Sequence, residues 1–240
     1  MSLYQTLNAI GITARICFPT VLESFTNSVV LDECDERLAW WSRELLRQAH
    51  VDLHVRGLEN LPAREDQPLV VMSNHRSYYD IPTAFCVVPG RLRMVAKKEL
   101  FRVPIFGAAM LASGFVKIDR AKRESAIETL RESEKLLAGG MRIWIAPEGT
   151  RSKDGQLGEF KSGGFHMAIE ANVPILPLVM KGTEKVLPHD KVAVQPGAKV
   201  YVDVLPPIDP APFGQSGRKE LMQFVRAQMA AGLARVPESV

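Results

Sequence analysis

The chain has 240 residues, of which 46% are hydrophobic and 24% charged. This length and composition predict one folded domain with a sizeable core, and they exclude wholesale disorder. The net charge of +3, from 30 Lys and Arg against 27 Asp and Glu, is too small to argue by itself for nucleic acid binding. Cys17, Cys34 and Cys86 form neither a disulfide framework nor a zinc cluster, which favours a reducing compartment.

The N-terminal part of the chain is predicted to be helical. Apolar side chains recur at helical spacing at Leu3, Leu7, Ile10 and Ala14. Pro19 is predicted to end this first helix, and a second helix is predicted over residues 35–49 with Asp35 as its N-cap. No stretch reaches the roughly 20 apolar residues of a membrane span, and no secretory signal is evident.

Strands and helices then alternate, beginning where the apolar period changes from helical to alternating near residue 51. Strands are predicted at residues 51–55, 69–72, 92–96, 115–118, 141–146, 174–180 and 199–205. Helices are predicted from about residue 80 and at 104–112, 120–138, 165–171 and 218–233. This order predicts an α/β fold with a mixed sheet flanked by helices. We therefore divide the chain into an N-terminal helical segment, residues 1–50, and an α/β domain, residues 51–240.

Several common catalytic motifs are absent from the sequence. There is no G-x-S-x-G nucleophile elbow, no Walker loop and no G-x-G-x-x-G fingerprint. His50 and His54 do not suggest a metal pair, since four residues along a strand span about 13 Å. We expect no metal site and no metal or redox cofactor.

The first feature with chemical content follows the predicted strand at residues 69–72. His75 lies just after this strand, and Asp80 follows five residues later. If the intervening turn brings them together, the carboxylate can fix the imidazole tautomer while the other ring nitrogen removes a proton from a hydroxyl. The competing interpretation is a helix-capping turn in which His75 merely packs.

A second feature follows the predicted strand at residues 141–146. Gly149 permits a tight turn, and Arg151 offers a planar fork of donors that matches phosphate oxygens. Glu148 is predicted to orient Arg151 or to accept from a substrate hydroxyl. The alternative is a surface turn with a solvated ion pair.

A third feature is an excess of positive charge over residues 91–123. This stretch has nine basic residues against Glu99 and Asp119, a local charge of +7, so the rest of the chain carries −4. Such a zone fits a phosphate-bearing substrate or an anionic membrane surface.

Together these features resemble the motifs of the glycerolipid acyltransferases, the family typified by bacterial 1-acylglycerol-3-phosphate acyltransferase. Residues 74–80 are similar to its first motif, N-H-x-x-x-x-D, and residues 96–104 with Gly107, Gly114 and 118–120 to its second. Residues 147–152 are similar to its third, and residues 160–161 with 173–178 to its fourth. The resemblance covers about residues 35–180 and keeps the family's motif order.

The resemblance implies that His75 is the general base for the acceptor hydroxyl and that Asp80 orients it. It places the acceptor phosphate near Arg151 and near Lys97, which we align with the motif in preference to Lys98. Glu148, Gly149 and Thr150 are implied to help form the acceptor site, with Asn74 and Arg120 as supporting residues. The oxyanion donors are expected to be backbone N–H groups near the His75 turn or at a nearby helix N-terminus.

The implied partners are acyl-CoA or acyl carrier protein as co-substrate, a lysolipid acceptor and a membrane surface, without nucleic acid. The preferred acceptor is the sn-2 hydroxyl of 1-acylglycerol 3-phosphate, with another lysophospholipid, lyso-ornithine lipid or glycerol 3-phosphate as alternatives. We expect peripheral binding at the cytoplasmic face, through a shallow apolar face formed by Leu3, Leu7, Ile10, Ala14, Ile16 and Phe18. A catalytically silent lipid-binding protein is the alternative from another class.

Overall fold

The structure is a computed structural model of the chain, and it describes residues 2–119 and 123–236. The helices are α1 (Ser2–Phe25), α2 (Leu31–Gln48), α3 (Asp80–Val87), α4 (Phe106–Ala112), α5 (Arg123–Ala138), α6 (Gly163–Glu170), α7 (Thr183–Val186) and α8 (Arg218–Arg235). The strands are β1 (Asp52–Arg56), β2 (Leu69–Ser73), β3 (Leu92–Lys97), β4 (Val116–Ile118), β5 (Arg142–Ile145), β6 (Ile175–Lys181) and β7 (Lys199–Val204). Short 3₁₀ turns lie at Leu58–Asn60, Leu100–Arg102 and Ala211–Phe213.

The strands form a mixed sheet in the order β1-β7-β6-β2-β5-β3-β4. β6, β2, β5, β3 and β4 are parallel to one another, and β1 is parallel to β7, whereas β7 is antiparallel to β6. The mixed α/β sheet predicted from the sequence is therefore confirmed. Because parallel strands end at the same edge, the loops after β2, β3 and β5 meet there.

Helices cover both faces of this sheet. Along β2, Val71 packs with residues of α2, α3 and α4, whereas Val70 and Met72 pack with residues of α5, α6 and α8. Successive side chains of a strand point to opposite faces, so a strand covered on both sides reads as a continuous apolar run. This explains why every residue of β2 is buried.

The first helix continues past Pro19, contrary to the sequence prediction, and ends at Phe25. Proline removes one backbone donor, but its fixed φ is compatible with a helix, and the flanking turns remain supported. Thr20 donates its hydroxyl to the carbonyl of Ile16, and α1 packs along both α2 and α4. Tertiary packing thus outweighs the helix-breaking effect of Pro19.

The second helix begins at Leu31, four residues before the predicted start, and Asp35 does not cap it. Asp35 lies inside the helix and accepts a hydrogen bond of 2.5 Å from the buried guanidinium of Arg93, near the start of β3. A buried arginine needs a charged partner, so this contact fixes α2 against the sheet.

The proposed boundary near residue 50 falls in the turn between α2 and β1, where His50 has φ +49°. The division into two units stays a prediction. The other elements lie close to their predicted ranges, except that the sequence did not indicate α7. The predicted start of the helix at residues 120–138 lies partly outside the described residues.

Candidate active site

His75 and Asp80 form the predicted pair at the end of β2. The imidazole Nδ1 lies 2.8 Å from Oδ2 of Asp80, which is the first residue of α3 and is fully buried. The backbone N–H groups of Arg76 and Ser77 donate to the same oxygen at 2.7 and 2.9 Å. The turn thus wraps around the carboxylate, and the helix N-terminus adds a favourable dipole.

The other ring nitrogen of His75 faces a different environment. Among the described residues, Nε2 has no hydrogen-bond partner, whereas Nδ1 is held by Asp80. The ring also contacts Trp144 edge to face, with the ring centroids 6.0 Å apart, and Trp144 donates to the hydroxyl of Ser73. A histidine held in this way can present Nε2 as a proton acceptor.

Asn74 anchors the residue before the histidine. Its side-chain amide donates to the carbonyl of Met180 at 2.8 Å, and its side-chain oxygen accepts from the N–H of Met180 at 2.7 Å. This buried pair of hydrogen bonds joins Asn74, just after β2, to the backbone of β6. Asn74 therefore supports the His75 turn structurally.

Glu148 binds backbone groups, and no described contact joins it to Arg151. Oε1 accepts from the N–H of His75 and Oε2 from the N–H of Gly158, both at 2.9 Å. Burial raises the pKa of Glu148, and these two hydrogen bonds oppose the shift. The prediction that Glu148 orients Arg151 is therefore wrong, because its oxygens are directed at the two loops on either side.

The loop after Glu148 lies directly beside His75. Gly149 has φ +72°, a left-handed conformation that favours glycine, and the N–H of Ser152 donates to the carbonyl of His75 at 2.7 Å. The guanidinium of Arg151 lies over the ring of Tyr78, 4.1 Å from its centroid, in a cation–π contact. Thr150 is exposed at the tip of the loop.

The two lysines at the end of β3 differ in their partners. Lys98 is paired with Asp119 at 2.5 Å, whereas Lys97 is exposed and makes no described ion pair. This difference favours Lys97 as the residue available to a ligand. β5 separates β3 from β2, so the strand ends carrying Lys97 and His75 are about 10 Å apart laterally. Arg120 lies outside the described residues.

The positive zone is smaller than the sequence predicts. Arg91 is paired with Asp32, and Arg93 is buried against Asp35. Both acids come from α2, which lies outside the stretch used to count the charge. The exposed cations described in this zone are Lys97, Arg102 and Lys117.

An apolar cavity of about 480 Å³ lies under the helices α1 to α4. Its walls include Ala9, Thr13, Ile16, Cys17, Thr20, Arg37, Trp41, Tyr78, Tyr79, Phe85, Ala109 and Phe115. Tyr78 and Tyr79 belong to the His75 turn. Thr20 and Arg37 lie towards the opposite edge of the sheet, since neighbouring Asp35 pairs with Arg93 near the start of β3. The cavity therefore extends from the His75 turn towards the opposite edge of the sheet.

Two polar side chains in the far part of the cavity wall, Arg37 and Thr20, bond to each other. Arg37 donates to the hydroxyl of Thr20 and forms an ion pair with Glu23 at 2.5 Å. Sequence reasoning did not locate this cavity, because its walls come from separate helices whose apolar residues look like ordinary core.

A family model described as Acyltransferase matches residues 52–181, more than half of the chain. The chain belongs to the acyltransferase family. The resemblance stated from the four motifs is thereby confirmed.

Curated relatives carry the same kind of name. The chain is 36% identical over 156 residues to the chloroplastic 1-acyl-sn-glycerol-3-phosphate acyltransferase LPAT1 of Arabidopsis thaliana, covering 65% of this chain and 43% of that protein. It is 37% identical over 159 residues to the 1-acyl-sn-glycerol-3-phosphate acyltransferase alpha of Homo sapiens, covering 66% and 55%. The chain thus spans about half the length of these two relatives.

Two further comparisons cover a larger share of both compared proteins. The 1-acyl-sn-glycerol-3-phosphate acyltransferase of Haemophilus influenzae is 30% identical over 174 residues, covering 71% of this chain and 70% of that protein. The crystal structure of the 1-acyl-sn-glycerophosphate acyltransferase PlsC from Thermotoga maritima superposes with a TM-score of 0.80 at 26% identity, covering 98% of this chain and 97% of that one. The shared fold therefore includes the N-terminal helices. Within the described ranges, no helix is long and apolar enough to span a membrane.

Proposed function

We propose that this protein transfers a fatty acyl group to the sn-2 hydroxyl of 1-acylglycerol 3-phosphate and so forms phosphatidic acid. The observation that carries the proposal is the His75–Asp80 pair, which lies in a turn whose Tyr78 and Tyr79 line an apolar cavity. The names of the relatives support the choice of acceptor.

In the proposed reaction, Nε2 of His75 removes the proton of the acceptor hydroxyl as its oxygen attacks the thioester carbonyl. Asp80 stabilises the imidazolium that forms. Collapse of the tetrahedral intermediate breaks the C–S bond, and the proton on His75 passes to the departing thiolate. Acyl-CoA and acyl carrier protein both present such a thioester. The reaction requires a base, correct positioning of the two substrates and oxyanion donors. We expect no metal or redox cofactor.

The structure reduces the number of backbone N–H groups that are available as oxyanion donors. The N–H of His75 is bound to Glu148, and those of Arg76 and Ser77 are bound to Asp80. In contrast, the N–H groups of Thr150 and Arg151 donate to no atom in the described part of the chain. We assign the oxyanion donors to this loop, which is joined to His75 through Ser152.

The polar end of the acceptor fits the same edge of the sheet. A guanidinium matches two phosphate oxygens at once, and Arg151 is held over Tyr78 with its N–H groups around the rim of the plane. Lys97 offers a second positive charge and makes no ion pair with any residue in the described ranges. Gly149 allows the ligand to approach the backbone closely.

The apolar parts of the substrates fit the cavity and the surface around it. The cavity has the size of a typical ligand site, and its wall is predominantly apolar, as a fatty acyl chain requires. Around it, exposed apolar side chains form a stripe along α1 at Leu3, Leu7, Ile10, Phe18, Leu22 and Phe25. α1 packs on α4, where Leu111 is also exposed. We therefore propose peripheral binding at the cytoplasmic membrane face.

The proposal is tested with a panel of acceptors. Labelled acyl-CoA and acyl carrier protein are each incubated with 1-acylglycerol 3-phosphate, lysophosphatidylcholine, lyso-ornithine lipid or glycerol 3-phosphate, and products are resolved chromatographically. We expect labelled phosphatidic acid, formed at least about a hundredfold more slowly by the matched His75→Ala protein. Preferential acylation of another acceptor would show that 1-acylglycerol 3-phosphate is not the preferred acceptor. A lack of any product would favour a catalytically silent lipid-binding protein.

A further inference from the structure

The second oxygen of Asp80 has its own partner, Thr183. The hydroxyl Oγ1 of Thr183 donates to Oδ1 of Asp80 at 2.5 Å, and neither residue has any exposed surface. Thr183 is the first residue of α7 and follows β6 along the chain. It lies just beyond residues 52–181, which the family model matches.

The two oxygens of Asp80 are held by different parts of the molecule. Oδ2 accepts from His75 and from the backbone of the turn that contains it, whereas Oδ1 accepts from Thr183. A carboxylate can rotate about its Cβ–Cγ bond, and donors on one oxygen restrain this rotation weakly. A donor on the opposite oxygen fixes the plane of the carboxylate, and the plane fixes the direction of the imidazole.

The segment around Thr183 is built to hold the His75 turn. Gly182 turns the chain with φ +100°, and a Cβ there would lie 2.1 Å from the carbonyl oxygen of Lys199. Two further contacts reach the same turn. Glu184 pairs with Arg76 at 3.3 Å, and Ser77 donates to the carbonyl of Leu187 at 2.8 Å.

Burial makes the hydroxyl of Thr183 difficult to replace. With both residues fully buried, removing the hydroxyl leaves Oδ1 without a donor in a place where bulk water does not reach. The carboxylate then turns towards other donors, and its hydrogen bond to Nδ1 of His75 weakens.

We propose that Thr183 is a positioning residue that orients the His75 base by fixing the carboxylate of Asp80. The effect on turnover rests on the proposed function, whereas the effect on the imidazole does not. Loss of an outer hydrogen-bond partner of a metal-ligating histidine typically lowers activity by about tenfold to a hundredfold, and we expect an effect of that order for the partner of Asp80.

The test compares three variants with the wild-type protein. Thr183→Val keeps the shape and removes the donor, and Thr183→Ser keeps the hydroxyl. Thr129→Val is the matched control, because Thr129 is also buried but donates to the carbonyl of Lys117. All four proteins are compared by thermal unfolding, by kcat and KM, and by the ¹H–¹⁵N signal of Nδ1–H in ¹⁵N-histidine-labelled protein, assigned with His75→Ala.

We expect Thr183→Val to lower kcat about tenfold or more with little change in KM, and to broaden or lose the Nδ1–H signal of His75. Thr183→Ser restores both, and Thr129→Val changes neither. The proposal is overturned if Thr183→Val keeps the wild-type kcat and signal, or if Thr183→Ser is as impaired as Thr183→Val. If the wild-type protein acylates no acceptor, the proposed function fails, and the imidazole signal still decides the role of Thr183.

Discussion

The carboxylate of Glu148 accepts a hydrogen bond of 2.9 Å from the backbone N–H of His75, although 73 positions separate the two residues. β2 and β5 are neighbours in the sheet, so the loops after them lie side by side. Through this contact the third motif supports the backbone of the first. An acid in the third motif thus has a structural task that is independent of any substrate.

This arrangement predicts a pH-dependent contribution of Glu148 to stability. Burial raises the pKa of Glu148 in the folded protein, so the folded state binds more protons than the unfolded state between the two pKa values. The contribution of Glu148 to the free energy of unfolding therefore decreases as the pH rises. The decrease begins near the pKa of Glu148 in the unfolded chain, 4.5, and continues through its higher pKa in the folded protein.

Urea unfolding of the wild-type protein and of Glu148→Gln across that range tests the prediction. We expect the advantage of the wild type over the variant to shrink as the pH rises. An advantage that grows with pH would contradict it.

Replacement of His75 or Asp80 is expected to remove most of the activity while the fold persists. His75→Ala removes the base, and we expect turnover to fall by about 10²–10⁴. Asp80→Asn is expected to lose nearly as much, because the tautomer of the imidazole is no longer enforced. Turnover and melting temperature are measured for each protein. Retention of more than about a tenth of the turnover by His75→Ala would show that His75 is not the general base.

Replacement of Arg151 tests the acceptor site. Arg151→Lys keeps the charge but loses the planar fork, and a charge-assisted hydrogen bond is worth about 1.5–3 kcal/mol. We expect kcat/KM for the acceptor to fall about tenfold or more, with little change in KM for the acyl donor. Arg235→Lys, the same change at an exposed arginine, serves as the control. Equal effects of Arg151→Lys on the kinetics of both substrates would show that Arg151 does not belong to the acceptor site.

The far end of the cavity is expected to set the acyl-chain length. Cys17 lines it, and burial raises the pKa of its thiol to about 11, so the thiol stays neutral. Cys17→Phe adds volume there, and we expect the preferred chain to become shorter. The control Cys17→Ala removes the thiol without filling the cavity. Donors of graded chain length, offered in competition, measure the preference, and an unchanged profile in Cys17→Phe would show that the chain lies elsewhere.

The membrane surface is tested on α1 without deleting it, because α1 also forms part of the cavity wall. Leu7 and Ile10 are 59% and 62% exposed. We expect Leu7→Glu with Ile10→Glu to reduce co-sedimentation with anionic vesicles strongly, and Leu58→Glu, at an exposed leucine outside α1, to reduce it little. Wild-type binding should also fall as salt rises, if exposed Lys97 and Arg102 contribute. Unchanged binding of the double variant would exclude the α1 stripe.

The sequence predicted those features that depend on local spacing. Apolar runs bounded by turns revealed most strands of the sheet, and the distance between His75 and Asp80 suited a turn that brings them together. The four motifs, taken in their order along the chain, were enough to indicate the family and the residues around the His75 turn. The sequence also led us to favour Lys97 over Lys98, which agrees with the ion pair between Lys98 and Asp119.

Contacts between distant segments could not be obtained in the same way. Pro19 marks a helix end by local rules, but packing of α1 on α2 and α4 carries the helix through it. Glu148 beside Arg151 suggests a local ion pair, whereas burial and two backbone donors direct it elsewhere. Counting charge along residues 91–123 missed the acids of α2 that neutralise Arg91 and Arg93.

The sequence by itself determined the class of fold and the family, and it predicted His75 and Asp80 as the pair that supplies the base, because each of these depends on short-range patterns. Only the tertiary structure decided how His75 is held and where the cavity lies that we propose for the acyl chain. Thr183 meets Asp80 across 103 positions, and the cavity is enclosed by helices whose apolar faces would each pass for core. A residue's partners depend on which strands become neighbours, and that is decided by the packing of the whole chain.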